Sequence, residues 1–143
     1  MKILVSACLL GVPCRYDGQS KAYALIDELC RRHEVVPICP EQLGGLPTPR
    51  VPAERQGERV ITKEGGDVTM QYRRGAAEAV HLARKLGCTV AVLKERSPSC
   101  GSGAVYDGTF SGTLTDGDGV TVELLKVNGI PVYGESRLEE LLN

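Results

Sequence analysis

Short apolar segments with the character of buried strands alternate with helix-like segments along most of this chain. The strand-like segments are residues 3–7, 35–39, 89–93 and 130–133. Helical periodicity extends over residues 20–33, 72–86 and 136–142, and residues 120–129 fit either a helix or a strand. This alternation implies right-handed crossovers and a mostly parallel central sheet flanked by helices. We therefore expect one α/β domain over residues 1–143, with a Rossmann-like three-layer fold.

Two segments between these elements carry proline and glycine signals. Residues 40–52 contain four prolines and the pair Gly44-Gly45, which predicts no regular structure there. Pro37 is unfavourable in a central strand, so the second strand is expected to be bent or to start late. Residues 59–62 are predicted to form a minor strand.

Charge and hydropathy exclude several classes of partner. The 143 residues contain 17 Lys+Arg and 18 Asp+Glu, so the formal charge is −1 and the basic footprint of a DNA-binding protein is absent. The sequence contains no run of eighteen apolar residues, so it predicts no membrane-spanning helix. Cys8 and Pro13 interrupt the first apolar stretch, which predicts a buried strand rather than a secretion signal. We expect a cytosolic protein.

Six cysteines are the main peculiarity of the composition. In the cytosol they are expected to be reduced, metal-bound or catalytic rather than disulfide-linked. Cys30, beside the apolar stripe of the first helix, and Cys88, after the Gly87 helix stop, are predicted to be small buried hydrophobic residues. For Cys14 the sequence leaves three roles open: a fourth ligand, a redox partner or none.

The other three cysteines follow predicted strands. Cys8 closes the first strand, Cys39 closes the second, and Cys100 lies in the loop 94–103 after the third. Because ligands of parallel sheets bind beyond the carboxyl ends of the strands, we expect these thiols to meet at one edge. This placement predicts a metal site or a nucleophile.

The residues themselves do not decide between the possible chemistries. Zinc sites usually contain a C-x₂-C pair, which is missing here, and His33 and His81 are predicted to face solvent. Three thiolates from distant loops suit an iron–sulfur cluster whose remaining iron is open to a substrate or water. The spacing alone does not require such a cluster, and a structural zinc domain stays open at this point.

Three groups of motifs narrow the choice. They are SACLLG at 6–11 with CRYDG at 14–18, PICPE at 37–41 with GGLPTPR at 44–50, and KERSPSCG at 94–101. Together they resemble a bacterial family of short proteins, formerly classed as a domain of unknown function, that includes thiouracil desulfidases. The resemblance covers essentially the whole chain and implies an oxygen-sensitive enzyme that uses a [4Fe-4S] cluster to remove sulfur from thiolated pyrimidines.

The resemblance also implies roles for individual residues. The cluster ligands are Cys8, Cys39 and Cys100, and the catalytic carboxylate is Glu41, two residues after the second ligand. A serine of the Ser-Pro-Ser-Cys block takes part, and Ser97 is preferred to Ser99. The open iron is expected to bind the thione sulfur while water replaces it at the ring carbon, with Glu41 and Ser97 in proton transfer.

Two further questions stay open at the level of sequence. The alternative function is a non-enzymatic iron–sulfur or persulfide sulfur-carrier module, which would use the same cysteines but need neither Glu41 nor Ser97. The expected partner is a small thiolated heterocycle. The near-neutral net charge argues against a thiolated RNA, although a local basic patch around Arg50, Arg55 and Arg59 stays open. A monomer and a homodimer are equally compatible with the sequence.

Overall fold

A parallel four-stranded sheet forms the centre of the computed structural model, which describes residues 1–142. Its strands are β1 (Lys2–Ser6), β2 (Glu34–Ile38), β5 (Val90–Leu93) and β8 (Val132–Gly134), in the order β2-β1-β5-β8. The remaining strands are β3 (Ala53–Gln56), β4 (Arg59–Thr62), β6 (Ala104–Tyr106) and β7 (Leu114–Asp116). The helices are α1 (Leu25–Arg32), α2 (Pro40–Leu43), α3 (Thr69–Leu86) and α4 (Val120–Val127), with 3₁₀ helices at Ala7–Leu10 and Glu135–Leu141.

Helices cover both faces of the sheet, and the alternation of side chains along β1 shows how. Leu4 belongs to a core that contains residues of α3 and α4, such as Ala83 and Leu125. Its neighbours Ile3 and Val5 belong to the opposite core, with α1 and Leu138. Successive strand residues point to opposite faces, so each face receives its own apolar cluster. The expected mixed α/β architecture with a parallel sheet between helices is confirmed.

The four main strands agree with the sequence prediction within two residues at either end. Pro37 pairs with Val5 in the parallel ladder and is exposed. It is tolerated because β2 lies at an edge of the sheet, where a missing N–H leaves no neighbouring strand unpaired. β4 matches the predicted minor strand and pairs with β3 in an antiparallel hairpin.

Two predictions for the first third of the chain are wrong. The first helix was expected over residues 20–33 with Ser20 as its cap, but α1 begins at Leu25. The backbone N–H groups of Lys21 and Tyr23 instead donate to carbonyls of the Ala7–Leu10 segment, which keeps residues 21–23 outside the helix. Residues 40–52 were expected to lack regular structure, yet Pro40 occupies the first turn of α2, a position where its missing N–H costs nothing.

The last third of the chain also differs from the sequence prediction. The closing helix, expected over residues 136–142, is a 3₁₀ helix over Glu135–Leu141. Of the two alternatives left open for residues 120–129, the structure shows the helix, α4. The antiparallel hairpin of β6 and β7 was not predicted, because only Val105 of its strand residues is fully buried. None of the helices in residues 1–142 is long and apolar enough to cross a membrane.

Candidate active site

A cavity of about 520 Å³ opens at the carboxyl ends of β1, β2 and β5. Cys8, Cys39 and Cys100 all lie on its wall, together with Cys14. The three cysteines come from sequence positions far apart, and the parallel sheet brings their loops to one edge, as ligand sites in such sheets require. The cavity is therefore the candidate active site.

Each cysteine is held by the structure that directly follows its strand. Cys8 lies in the 3₁₀ helix after β1, Cys39 caps the N-terminus of α2, and Cys100 follows β5 in a loop. Cys8, Cys14 and Cys100 are buried, and Cys39 is half-buried. The Cys39 Sγ lies 3.7 Å from the carbonyl oxygen of Cys14, to which it donates. The four cysteines therefore line one cavity in a largely desolvated environment.

Desolvation and contact with neighbouring groups raise the pKa of the Cys39 and Cys100 thiols. Burial raises the pKa of Cys100 to about 12, and the neighbouring Glu41 carboxylate adds to the rise. The hydrogen bond with Cys14, followed by burial, raises the pKa of Cys39. Because a metal-ligating cysteine is a thiolate, binding of a metal at these residues would be coupled to proton release.

The arrangement of the possible metal ligands bears on the kind of metal centre that the cavity could hold. Within residues 1–142, no three His, Cys, Asp or Glu side chains converge closely enough to hold a single metal ion. In a structural zinc site, four ligands converge on one ion. An iron–sulfur cluster is larger than one ion, so its cysteines surround a cavity. Three thiols on the wall of one cavity fit that requirement.

Glu41 lies on the same wall, in the first turn of α2, with 14% of its side chain exposed. Its Oε2 accepts a hydrogen bond of 2.7 Å from the Tyr72 hydroxyl and lies 3.4 Å from Arg50 Nη2. The same Arg50 nitrogen donates to the carbonyl of Cys14. Arg50 thus links the carboxylate to the loop that carries Cys14.

The two serines of the Ser-Pro-Ser-Cys block occupy different environments. Ser97 lines the cavity, and its Oγ accepts the backbone N–H groups of Ser99 and Cys100, each at 3.1 Å. Ser99 is fully buried, and its hydroxyl is hydrogen-bonded to Thr121 on α4. Only Ser97 of this pair lines the cavity, so geometry favours it as the serine that meets a substrate.

Several residues singled out in the sequence lie elsewhere. Cys88 is buried as predicted, but the prediction for Cys30 is wrong: it is exposed, because it falls beside rather than within the buried stripe of α1. His81 is exposed and His33 is half-buried, and neither lines the cavity.

The arginine patch considered for RNA binding does not form a continuous exposed surface. The Arg50 side chain is only 5% exposed, and that of Arg55 is 10% exposed and paired with Glu123 at 2.7 Å. Arg59 alone of the three is exposed. The side chains that would give the patch its charge are thus engaged within the protein.

Tyr72 is the site residue that the sequence analysis did not identify. It lies on the buried face of α3 and is 3% exposed, so it looks like an ordinary core residue in line with Ala76 and Ala79. One signal was available: a tyrosine is larger and more polar than the alanines that otherwise follow it on this face, and its hydroxyl needs a partner.

Comparisons with known proteins show to which family the chain belongs. The family model described as 2-thiouracil desulfurase matches residues 3–137. The uncharacterized protein YbbK of Bacillus subtilis (strain 168) is 44% identical to this chain. The alignment has a length of 150 and covers 98% of this chain and 99% of that protein. The solved structure of the [4Fe-4S]-dependent thiouracil desulfidase TudS is 52% identical, with a TM-score of 0.93 over 99% of this chain and 95% of that one. The chain therefore belongs to the 2-thiouracil desulfurase family.

Proposed function

We propose that this protein is a [4Fe-4S]-dependent desulfidase that removes sulfur from a small thiolated pyrimidine such as 2-thiouracil. One observation carries the proposal: three thiols, a carboxylate and a serine hydroxyl line a single cavity in a member of this family. The likeness to TudS, whose name states both the cluster and the substrate, supports both assignments. The net reaction exchanges sulfur for oxygen: a thione and water give the carbonyl compound and hydrogen sulfide.

Cys8, Cys39 and Cys100 would hold the cluster as thiolates. When bound, the cluster supplies a thiophilic iron with a position left open for the substrate sulfur. Cys14 is not needed for three-point attachment, and its carbonyl accepts a hydrogen bond from Arg50. The chain thus provides a complete set of three thiolates with a fourth thiol at its edge.

Glu41 is the proton-transfer group of the proposed reaction. Water must lose protons as it replaces sulfur at the ring carbon, and a carboxylate beside the cavity can accept and return them. Glu41 is half-buried on the cavity wall, which leaves its carboxylate within reach of a bound ring. The sulfur-carrier alternative has no use for such a group, so Glu41 favours the enzyme.

Ser97 is a hydrogen-bond donor in this scheme. A hydroxyl has two acceptor lone pairs and one proton, and the N–H groups of Ser99 and Cys100 already donate to Ser97 Oγ. The remaining proton is free to point at a ligand. Ser97 would therefore position the ring or the water rather than remove a proton from it.

The cavity and the charges around it favour a small substrate. A volume of about 520 Å³ lies in the range typical of small-molecule sites, roughly 300–1,000 Å³. Since Arg50 and Arg55 are engaged internally, a free thiolated heterocycle is preferred to a thiolated RNA. The proposal includes a Rossmann-like single domain over residues 1–143 and a cytoplasmic location.

Anaerobic reconstitution with iron and sulfide tests the function. The loaded protein should convert 2-thiouracil to uracil and release one hydrosulfide per turnover, whereas the same chain loaded with zinc should be inactive. A panel of thiolated pyrimidines then ranks the substrates by kcat/KM. Stable binding of a cluster without turnover of any thione would overturn the proposal in favour of the carrier module.

A further inference from the structure

The Glu41 carboxylate is engaged asymmetrically. Both of its protein partners, the Tyr72 hydroxyl and Arg50 Nη2, contact the same oxygen, Oε2. No hydrogen bond or ion pair reaches Oε1 from any residue of the described chain, 1–142. Because Glu41 lines the cavity, the oxygen that remains available to a ligand is Oε1.

The contact between Tyr72 and Glu41 depends on an unusually close approach of α2 and α3. A Cβ atom at Gly44 would lie 2.0 Å from the Gln71 carbonyl oxygen, and one at Gly75 would lie 1.9 Å from that of Pro40. Neither position tolerates a larger residue without separating the helices. The two glycines thus place the N-terminal turn of α3, with Tyr72, directly against the helix that carries Glu41.

Tyr72 is well suited to be a fixed donor. The ring is 3% exposed, so its orientation is set by packing rather than by solvent. Burial raises the pKa of Tyr72, followed by the effect of the Glu41 charge, so the hydroxyl stays protonated at neutral pH. A protonated phenol has only one proton to give, and here it is given to Oε2.

We propose that Tyr72 is a positioning residue: together with Arg50 it holds Glu41 by Oε2 and thereby presents Oε1 to the substrate or the attacking water. This inference rests on the proposed function of Glu41 and extends it to the residue that sets its geometry. A proton acceptor misplaced by about 1 Å loses roughly a hundredfold in rate, so a fixed carboxylate matters for turnover more than for binding.

Substitution Tyr72→Phe tests the inference because it removes one oxygen atom and keeps the buried ring. In the reconstituted enzyme we expect kcat for 2-thiouracil to fall about 10- to 100-fold, with KM within about twofold and iron content unchanged. Tyr133→Phe is the matched control, since Tyr133 stacks on Arg137 outside the cavity; it should leave kcat unchanged.

A double-mutant cycle with Glu41→Ala separates positioning from mere packing. If Tyr72 acts through Glu41, Tyr72→Phe lowers kcat in the wild-type background but not in the Glu41→Ala background. Unchanged kcat in Tyr72→Phe, equal effects in both backgrounds, or a change confined to KM would overturn the inference.

Thermal unfolding gives a second readout that needs no turnover. Tyr72→Phe should lower Tm by about 3–8 °C in the wild-type chain and by clearly less when Glu41 is alanine, because the hydrogen bond is then already absent. Equal shifts in both backgrounds would disprove the contact. If the wild-type enzyme turns over no thione, the proposed function fails, while this cycle still decides whether Tyr72 holds Glu41.

Discussion

Buried cysteines lie at both ends of the central sheet, and Cys8 and Cys88, which are equally buried, lie in different surroundings. Cys8, after β1 at the carboxyl end, and Cys88, before β5 at the amino end, are both 6% exposed. Cys88 lies in a tight connection: its N–H donates to Ala83 and that of Thr89 donates to Lys2. It belongs to the apolar core that also contains Ala83 and Leu125.

At the carboxyl end, by contrast, the segments that follow β1, β2 and β5 enclose a cavity. They bring three further thiols, a carboxylate and a serine to its wall. The comparison shows that burial alone does not identify a site cysteine, because a core thiol and a site thiol have the same exposure. What distinguishes a site cysteine from a core cysteine is whether it lies at the carboxyl end or the amino end of the strands.

The largest difference between the two ends should appear on removal of a thiol. Alanine at Cys8, Cys39 or Cys100 is expected to abolish stable cluster binding and turnover, since each removes one of three proposed ligands. Cys88→Ala should retain about four irons and four sulfides per chain, the content of a [4Fe-4S] cluster, because Cys88 belongs to the apolar core and does not line the cavity. Iron and sulfide analysis with visible absorption checks this prediction.

The control variant Cys88→Ala reports on both cluster binding and protein stability. Cys88→Ala also measures the stability cost of deleting a buried sulfur without affecting the site. If the three site variants keep full iron content, or if Cys88→Ala loses it, the assignment of the ligands to the carboxyl end of the sheet is wrong.

Carboxylates provide the next comparison between the two ends. Glu41→Ala is expected to keep the cluster and lose roughly 10²- to 10⁴-fold in kcat, the usual effect of removing a general acid or base. Glu34→Ala at the amino end removes an exposed carboxylate paired with Lys2 at 3.7 Å, and should change neither kcat nor cluster content. Steady-state kinetics on protein of matched iron content distinguishes them; normal turnover in Glu41→Ala would remove it from the mechanism.

Differences in hydrophobic patterning explain which parts of the fold the sequence could predict. The strands β1 and β5 and the helix α3 are visible because their hydrophobic periodicity reports the core directly. α1 was extended too far because backbone bonds from Lys21 and Tyr23 to a distant segment override local helix signals. The hairpin of β6 and β7 was missed because its mostly exposed residues carry no burial pattern.

For the candidate site, strand-end positions alone sufficed to group Cys8, Cys39 and Cys100, whereas the roles of Glu41 and Ser97 came from family resemblance. Tyr72 was not identifiable in either way. Its contact with Glu41 depends on how closely α2 approaches α3, a three-dimensional property set by Gly44 and Gly75. Residues at the ends of strands are therefore easier to group from the sequence than residues in contact between packed helices.

A smaller effect should separate the two serines near Cys100. Ser97→Ala removes the acceptor of two backbone N–H groups and a hydroxyl on the cavity wall. We expect a loss of about 1 kcal/mol in the free energy of unfolding and a fall in kcat of roughly 10- to 100-fold.

Ser99→Ala leaves the buried Thr121 hydroxyl without its partner, which should cost about 1–3 kcal/mol of stability while kcat stays within about twofold. Denaturant unfolding and kinetics measure both quantities for each variant. A larger loss of kcat in Ser99→Ala than in Ser97→Ala would reverse the assignment of the catalytic serine.

The smallest expected effect concerns the two cysteines outside the site, which the sequence analysis treated alike. Cys30 is exposed on α1, whereas Cys88 is buried and burial raises its pKa. Under native conditions a thiol-alkylating reagent should therefore modify Cys30 first, with no change in iron content or kcat, and reach Cys88 only as the protein opens. Mass spectrometry of partially labelled, cluster-loaded protein identifies the modified residue. Equal labelling of Cys30 and Cys88 would show that the amino end of the sheet opens readily, and the contrast between a tightly packed end and an open catalytic end would then fail.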